Sequence, residues 1–295
     1  MSARPLRAAG RSFGIWAGAF RLDDRALVAD AAAALEDMGY AALWFPGGLR
    51  RTFETAAVLL EATSRAVVAT GIANIWVNPP AESARAFARL DAAHPGRFLL
   101  GLGASHGPMV ERAGLGRYER PLAKMRGYLD ELDASTTPVP PEDRIIGALG
   151  PKMLALSAER SLGTHPYLVT PEHTARIRAA VGSGARVMPE QGVVLDSDPA
   201  SARATAREAL AMYLELPNYV NNWLRLGFTE DDVADGGSDR LVDALVAWGT
   251  PGQIAARVRA HHDAGADHVC LQFLGAAPGG LPLDAARSLA TALLG

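Results

Sequence analysis

The chain has 295 residues, of which 29 are Lys or Arg and 32 are Asp or Glu, so its formal net charge is −3. Hydrophobic residues make up 49% and charged residues 21%, which excludes the disordered, collagen-like and disulfide-scaffold classes. Because this charge balance provides no broad basic surface, nucleic acid is not an expected partner. No linker-like stretch divides the chain, and we predict a single domain over residues 1–295.

The cysteine count and the first residues indicate the cellular compartment. Cys270 is the single cysteine, so no intrachain disulfide can form and a reducing compartment is favoured. The segment Met1 to Arg11 carries three Arg, and no apolar stretch of signal-peptide length follows it. No run of about 18 apolar residues occurs. The sequence therefore predicts a cytoplasmic protein with no membrane partner.

Short apolar runs rich in β-branched residues alternate with Ala-rich helical patterns along the chain. Eight of these runs predict strands, at Ser12 to Ala17, Ala41 to Phe45, Val67 to Ile72, Phe98 to Gly103, Arg144 to Leu149, His165 to Val169, Gln191 to Leu195 and His268 to Phe273. In the first helical pattern, the apolar residues at helical spacing are Leu27, Ala31, Leu35 and Met38.

Three later helices are predicted to begin with a capping residue followed by proline, at Thr170-Pro171, Asp198-Pro199 and Thr250-Pro251. Thr250 and Gln253 also have the spacing of a capping box. Repeated strand, helix and strand require parallel pairing with right-handed crossovers, which makes the fold class α/β. Eight such units over roughly 250 residues fit a (β/α)8 TIM barrel better than a doubly wound sheet.

The long segment 196–267 separates the seventh predicted strand from the eighth. We predict an insertion there, at approximately 215–245. It would lie over the C-terminal mouth of the barrel or form a subunit contact.

Catalytic residues of a TIM barrel lie at the C-terminal ends of its strands, so the functional residues are expected there. The fifth strand runs through Gly147, Ala148 and Leu149 into Gly150-Pro151-Lys152-Met153, where a helix begins. Free amides of the first helical turn, with the charge of Lys152, would bind a phosphate. The alternative is a plain Gly-Pro turn with an exposed lysine.

The fourth strand ends in Gly103-Ala104-Ser105-His106. It resembles a dinucleotide fingerprint only superficially, because the third glycine falls one place late. Gly103 and Ala104 would leave room for a flat ring, while Ser105 and His106 project into the mouth. Histidine suits a general acid or base near neutral pH, although a loop histidine is more often solvated.

The third strand ends near Gly71, and a glycine at that place commonly marks a bulge. Asn74 and Trp76 follow and could contact a ligand, although Trp76 could equally be a core residue.

Glu190 would lie at the opposite, stabilising end of the barrel as a buried, paired carboxylate. The histidines lack metal-ligand spacing, and neither a G-x-S-x-G elbow nor a P-loop occurs, so metal, hydrolase and kinase sites are not predicted.

The order and spacing of these strand-end motifs resemble the luciferase-like monooxygenase superfamily and, within it, the coenzyme F420-dependent oxidoreductases of actinobacteria. The resemblance spans almost the entire chain. It is carried by Phe13-Gly14-Ile15-Trp16, Gly39-Tyr40-Ala41-Ala42-Leu43-Trp44-Phe45, Ala69-Thr70-Gly71-Ile72-Ala73-Asn74, Pro95-Gly96-Arg97-Phe98-Leu99-Leu100-Gly101-Leu102-Gly103, Gly147-Ala148-Leu149-Gly150-Pro151-Lys152-Met153, His165-Pro166-Tyr167-Leu168-Val169-Thr170-Pro171-Glu172 and Ala264-Gly265-Ala266-Asp267-His268-Val269.

The resemblance implies that a cofactor ring lies across the barrel mouth, supported by a strand bulge with a cis peptide bond that maps to Gly71-Ile72. It implies that the phosphate is held by Leu149 to Met153 and by Val169 and Thr170. The remaining cofactor contacts would be Asn74, Gly103, Ala104 and Ser105, with Trp76 on the substrate and His106 as the catalytic proton carrier. Relatives of this kind are commonly dimers, so a homodimer is expected.

The implied activity is hydride transfer between coenzyme F420, a deazaflavin, and a small organic substrate. The alternatives are an FMN-dependent monooxygenase and a catalytically inactive, cofactor-binding homologue. One departure bears on this choice. Relatives place an Asp-His pair just after the second strand, whereas this chain reads Trp44-Phe45-Pro46-Gly47-Gly48.

Overall fold

The strands of this chain form one curled parallel sheet. The structure is a computed structural model that describes residues 11–276 and 280–294. In this part of the chain the strands are Ser12–Trp16 (β1), Ala42–Phe45 (β2), Val67–Thr70 (β3), Ala73–Asn74 (β4), Phe98–Gly103 (β5), Arg144–Ile146 (β6), Gly163–Thr164 (β7), Arg186–Val187 (β8), Glu190–Val194 (β9), Val246–Trp248 (β10) and His268–Phe273 (β11).

Helices connect successive strands and cover the outside of the sheet. They are Arg25–Asp37 (α1), Thr52–Ala62 (α2), Pro80–Ala93 (α3), Gly107–Arg112 (α4), Pro121–Asp133 (α5), Pro151–Arg160 (α6), Pro171–Val181 (α7), Pro199–Leu214 (α8), Pro217–Leu226 (α9), Glu230–Val233 (α10), Asp239–Leu245 (α11), Pro251–Asp263 (α12) and Leu283–Leu294 (α13), with 3-10 turns at Gly18–Arg21 and Pro141–Asp143. Within the described ranges, no helix combines the length and apolar character needed to cross a membrane.

The sheet closes on itself through the run that contains β8 and β9. β8 pairs with β7, and β9 pairs with β11, which in turn pairs with β1. The backbone where β8 leads into β9 forms hydrogen bonds to both neighbouring strands. The Met188 amide donates to the Thr164 carbonyl of β7 (2.9 Å), and the Val187 carbonyl accepts the amide of Asp267, directly before β11 (2.8 Å). The ring thus has eight strand positions, because β3 and β4 share one, β8 and β9 share another, and β10 pairs with β9 alone. The predicted (β/α)8 barrel is confirmed.

Most predicted strands are observed with small changes of boundary, but the sixth is displaced. We predicted it at His165 to Val169, whereas the hydrogen-bonded strand is β7, and Leu168 has a left-handed backbone (φ 53°) that cannot continue a ladder. β7 approaches β8 so closely that a Cβ on Gly163 would lie 1.9 Å from the Arg186 carbonyl oxygen. The fifth strand likewise ends early, at Ile146.

The helix starts agree with the predictions. Thr170, Asp198 and Thr250 each accept a backbone amide of the following turn through the side chain. The capping box of Thr250 with Gln253 is present. In α1, Ala31 and Leu35 are buried as predicted, but Leu27 is 47% exposed and Val28 is buried in its place.

The segment between β9 and β11 holds α8 to α12 and β10. Its apolar side chains, Trp223 and Leu241 among them, form a cluster of their own that includes Leu168 and Val194 from the barrel. This contact places α9 above the C-terminal ends of the strands. The bounds of the insertion and the single-domain organisation stay predictions.

Candidate active site

A cavity of about 860 Å³ opens at the C-terminal ends of the strands. Its volume lies toward the upper end of the range of about 300–1,000 Å³ that is typical of ligand pockets. Ten of the residues predicted to form the site line it: Gly71, Ile72, Asn74, Gly103, Ala104, Ser105, His106, Leu149, Gly150 and Met153. The structure therefore brings three separately predicted strand ends into one cavity. Their roles toward a ligand stay predictions.

Five predicted site residues do not line the cavity. Pro151 and Lys152 are exposed at the start of α6, while Val169 and Thr170 are buried beneath the surface. Trp76 lies behind the wall, where its indole N–H donates to the Ala104 carbonyl (2.9 Å) and the Lys124 ammonium lies 4.7 Å from its ring centroid. Trp76 thus supports the loop after β5 from outside.

The bulge between β3 and β4 contains the expected cis peptide bond, Gly71-Ile72. Three hydrogen bonds hold it. The Gly71 amide donates to Phe45 (2.8 Å), the Trp16 indole donates to the Gly71 carbonyl (2.9 Å), and the Gly47 amide donates to the Ile72 carbonyl (3.0 Å). A Cβ on Gly71 would lie 2.7 Å from Trp16 Nε1, so this close approach requires glycine.

The loop after β2 brings no titratable group to the cavity. A Cβ on Gly47 would lie 2.8 Å from Ala73 Cα, so the bulge itself excludes a side chain there. The Arg21 guanidinium fills the space beside Gly48 and donates to the Pro46 carbonyl (3.3 Å) and the Gly47 carbonyl (2.5 Å). The missing Asp-His pair is therefore replaced by a clamped Gly-Gly turn.

His106 precedes α4 and lines the cavity. Its Nδ1 is buried without a hydrogen-bond partner, and its ring packs against Tyr219 at a centroid distance of 5.3 Å. Burial lowers the pKa of His106, and a side-chain hydrogen bond with Asn218 partly opposes that shift. The imidazole is thus mainly neutral near pH 7 and can accept a proton.

His165 is a second histidine on the cavity wall that we did not predict as a site residue. Its Nδ1 donates to the Met188 carbonyl (2.8 Å), which leaves Nε2 as an acceptor without a hydrogen-bond partner. The ring stacks on Trp44 at 4.5 Å. Burial lowers the pKa of His165 to about 4, so the ring is neutral. Its position directly after β7 is the sequence signal that could have indicated it.

Three tyrosines form an aromatic wall. The ring centroids of Tyr167 and Tyr213 are 5.4 Å apart, and those of Tyr213 and Tyr219 are 5.0 Å apart. The Tyr213 hydroxyl donates to the Tyr167 hydroxyl (3.2 Å). Burial raises the pKa of all three phenols, so they stay protonated.

Glu190 lies close to this wall. Its Oε2 accepts the Leu168 amide (3.2 Å), and its Oε1 has no hydrogen-bond partner. Burial raises the pKa of Glu190 to about 8. The carboxyl is buried, as predicted, but our expectation that it lies at the stabilising end was wrong. It reaches the loop after β7, next to the cavity-lining Tyr167.

The charged side chains that line the cavity are both cationic. They are Arg112, at the end of α4, and Arg225, in α9. The described lining contains no Asp, Glu or Lys. The α6 N-terminus also begins at the cavity, where Gly150 is the capping residue and a Cβ would meet open space. A cavity with cationic side chains, a helix N-terminus and no acid suits an anionic ligand such as a phosphate.

A family model for luciferase-like monooxygenases matches residues 16–136 and 128–268. The chain belongs to this family. It is 25% identical over 284 residues to 5,10-methylenetetrahydromethanopterin reductase of Archaeoglobus fulgidus, an alignment that covers 79% of this chain and 85% of the relative.

Two solved structures show that the luciferase-like fold extends over nearly the whole chain. The coenzyme F420-dependent tetrahydromethanopterin reductase of Methanopyrus kandleri has a TM-score of 0.72 and 18% identity, covering 95% of this chain and 97% of that one. The oxygenating constituent of 3,6-diketocamphane monooxygenase from Pseudomonas putida, solved with FMN, has a TM-score of 0.69 and 14% identity, with 96% of each chain covered.

Several residues of the cavity in this luciferase-like chain were not predicted. Six of them come from the segment between β9 and β11: Met212, Tyr213, Asn218, Tyr219, Asn221 and Arg225. Helical periodicity gives the spacing of such residues but not the direction in which the helix presents them. These residues do not lie at a predicted strand end, so their position in the sequence did not mark them as site residues.

Proposed function

We propose that this luciferase-like protein transfers a hydride between coenzyme F420 and a small organic substrate. The carrying observation is the cavity over the Gly71-Ile72 bulge, whose charged lining side chains are cationic. A flat ring system with a phosphorylated tail matches both features. The similarity to the coenzyme F420-dependent reductase of Methanopyrus kandleri supports this cofactor.

In this proposal the ring contacts come from the ends of β4 and β5. Gly71, Ile72 and Gly103 would support the ring, with Ala104 and Ser105 along its edge. Asn74 would contact it through its amide nitrogen, because its Oδ1 already accepts the Trp76 amide (2.9 Å). These groups are held by backbone hydrogen bonds, which makes the support rigid before a ligand arrives.

The phosphate would lie at the α6 N-terminus, along Leu149 to Met153. Val169 and Thr170 would support this site from beneath rather than touch it, because both are buried and Thr170 caps α7. Arg225 adds a cationic side chain that we did not predict.

Coenzyme F420, when bound, supplies a ring carbon that gives or takes a hydride. The chain has to orient the substrate, exclude water and handle one proton. His106 would accept that proton from a substrate hydroxyl during oxidation, or return it to the substrate oxygen during reduction. The loop after β2 supplies no proton carrier to the cavity. The histidines that line the cavity are His106 and His165.

The alternative cofactor is FMN, which the solved Pseudomonas putida neighbour binds. Titration of the purified protein with F420 and, separately, with FMN tests the proposal through changes in absorbance and fluorescence. We expect saturable F420 binding and, once a small organic substrate is added as hydride donor or acceptor, F420 reduction or oxidation without oxygen. Tight FMN binding with oxygen consumption would overturn the proposal in favour of a monooxygenase, and no response to either cofactor would favour an inactive homologue.

We also propose a cytoplasmic homodimer. Light scattering coupled to size-exclusion chromatography should then give twice the chain mass of 31.0 kDa.

A further inference from the structure

We infer that the substrate is an uncharged, largely apolar alcohol or ketone that enters over an apolar rim and lies against the aromatic wall. The inference rests on the proposed function, because it takes the β4 to β6 side of the cavity for the cofactor. It concerns the remaining side, which is formed by β1, the loop after β2, the loop after β7 and α8.

The remaining side of the cavity carries no charged side chain. Its apolar and aromatic lining residues are Trp16, Pro46, Leu49, Tyr167, Met212 and Tyr213, beside Gly48 and the neutral His165. The Trp16 and Tyr167 ring centroids lie 5.9 Å apart, so the aromatic surface continues from the aromatic wall to β1. Large flat apolar surfaces of this kind bind apolar skeletons by burial and ring contact.

The two cationic side chains belong to the other side. Arg112 ends α4, which follows β5. The Arg225 guanidinium donates to Asn222 Oδ1 (3.3 Å), and the Asn222 amide contacts His173 Nδ1 (3.3 Å) in the first turn of α7. These bonds link Arg225 to the first turn of α7, whose capping residue Thr170 belongs to the proposed phosphate site.

Apart from Arg112 and Arg225, the titratable groups on the cavity wall are uncharged near neutral pH. Burial raises the pKa of Tyr118, as it does for the three tyrosines of the aromatic wall, and lowers the pKa of both histidines. A carboxylate or phosphate on the substrate would lose its hydration here without gaining a counter-charge. An uncharged hydroxyl or carbonyl can instead use the neutral His106.

The rim of the cavity is apolar as well. Leu49, Met109 and Met212 are 59%, 43% and 47% exposed, and all three line the cavity mouth. In the described part of the chain only two other large hydrophobic side chains are this exposed, Leu27 and Leu294, and neither lines the cavity. Grouping of exposed apolar side chains at a mouth is typical of a binding site for apolar molecules.

The first experiment measures binding directly. F420-loaded protein is titrated with the apolar dye Nile red, and the dye is then displaced by 2-octanone or by octanoate, which have the same chain length but differ in charge. We expect saturable dye binding and displacement by 2-octanone at a concentration at least about tenfold below that needed for octanoate. Failure of the dye to bind, or equal displacement by the two compounds, would overturn the inference.

Met212→Glu places a charge on the rim, and Leu27→Glu is the matched control because Leu27 has the same 47% exposure away from the cavity. We expect Met212→Glu to weaken dye binding by about tenfold or more, with F420 affinity unchanged. Leu27→Glu should change neither quantity. Equal behaviour of the two variants would contradict an apolar entrance.

Steady-state F420 reduction by 2-octanol and by lactate completes the test. We expect kcat/KM for 2-octanol to exceed that for lactate by about a hundredfold. If F420 binds and lactate is the better substrate, the substrate class is wrong while the proposed function stands. If F420 does not bind, the proposed function itself has failed.

Discussion

Trp223 donates its indole N–H to the carbonyl oxygen of Leu168 at 3.1 Å, and both side chains are buried. Leu168 has a left-handed backbone, and its amide is bonded to Glu190. Leu168, in the loop after β7, is thus hydrogen-bonded to the barrel through its amide and to α9 through its carbonyl. This contact positions the helix that carries Tyr219 and Arg225 over the cavity.

Trp223→Phe removes the donor and leaves the Leu168 carbonyl buried without that partner. We expect the free energy of unfolding to fall by about 1–3 kcal/mol, because an unsatisfied buried polar group costs about that much. Urea denaturation measures the loss. Trp248→Phe is the control, since that indole donates to Asp243 (2.8 Å) at a half-buried site where water can replace it. Equal losses in the two variants would contradict the prediction.

The barrel could be predicted because short local sequence patterns, apolar runs and capping residues, determine most of its strands and helix starts. Phe98–Gly103 and His268–Phe273 were predicted with their observed bounds, since both are apolar runs between clear turn residues. β8 and β10 were missed, because strands of two and three residues are too short for a periodic signal. Their pairing is decided by tertiary contacts.

The same distinction between local sequence signals and tertiary contacts applies to the candidate site. The role of the glycines at strand ends could be predicted, because only a residue without Cβ permits the close approach seen at Gly71. The contribution of α8 and α9 could not be predicted, because it depends on how Trp223 docks on Leu168. Lys152 illustrates the limit: its position at a helix start was right, but its side chain is exposed outside the cavity lining.

Arg225 and Lys152 therefore give a matched pair for the phosphate site. Arg225→Ala should weaken cofactor binding by about 1 kcal/mol or more, as removal of a charge-assisted contact does. Lys152→Ala should have the smaller effect, because Lys152 does not line the cavity whereas Arg225 does. Fluorescence titration with F420 compares the two. A larger loss for Lys152→Ala would restore the lysine as the principal phosphate ligand.

His106→Ala should lower turnover by roughly a hundredfold while cofactor affinity is retained. Because burial lowers the pKa of His106, the acidic limb of kcat/KM for substrate oxidation should lie below the ordinary histidine pKa of 6.5. Activity should fall as the pH drops through that lowered pKa, since the protonated ring can no longer accept a proton. The variant should lack this limb and regain activity with added imidazole. Full activity of His106→Ala would remove His106 from the mechanism.

Glu190 should make the protein less stable as the pH rises. Its folded-state pKa is raised from 4.5 to about 8 by burial, so between these values the folded state keeps a proton that the unfolded state has lost. Stability should fall with pH in that window, by up to about 1.4 kcal/mol per pH unit. Glu190→Gln should flatten this dependence in urea denaturation at pH values between about 5 and 8. An unchanged slope would mean that Glu190 titrates normally.

Glu36 provides the opposite case. Its carboxylate accepts the amides of Ser64, Arg65 and Ala66 at 2.6–3.1 Å, and these bonds outweigh burial, which alone would raise its pKa, so that the pKa falls to about 2. Its contribution is present above the unfolded value of 4.5 and is lost as the pH falls toward about 2. Glu36→Gln should therefore lower stability at neutral pH by roughly 2–3 kcal/mol and have a smaller effect near pH 3. Urea denaturation at the two pH values checks this, and a loss of the same size at both would assign the effect to packing rather than to charge.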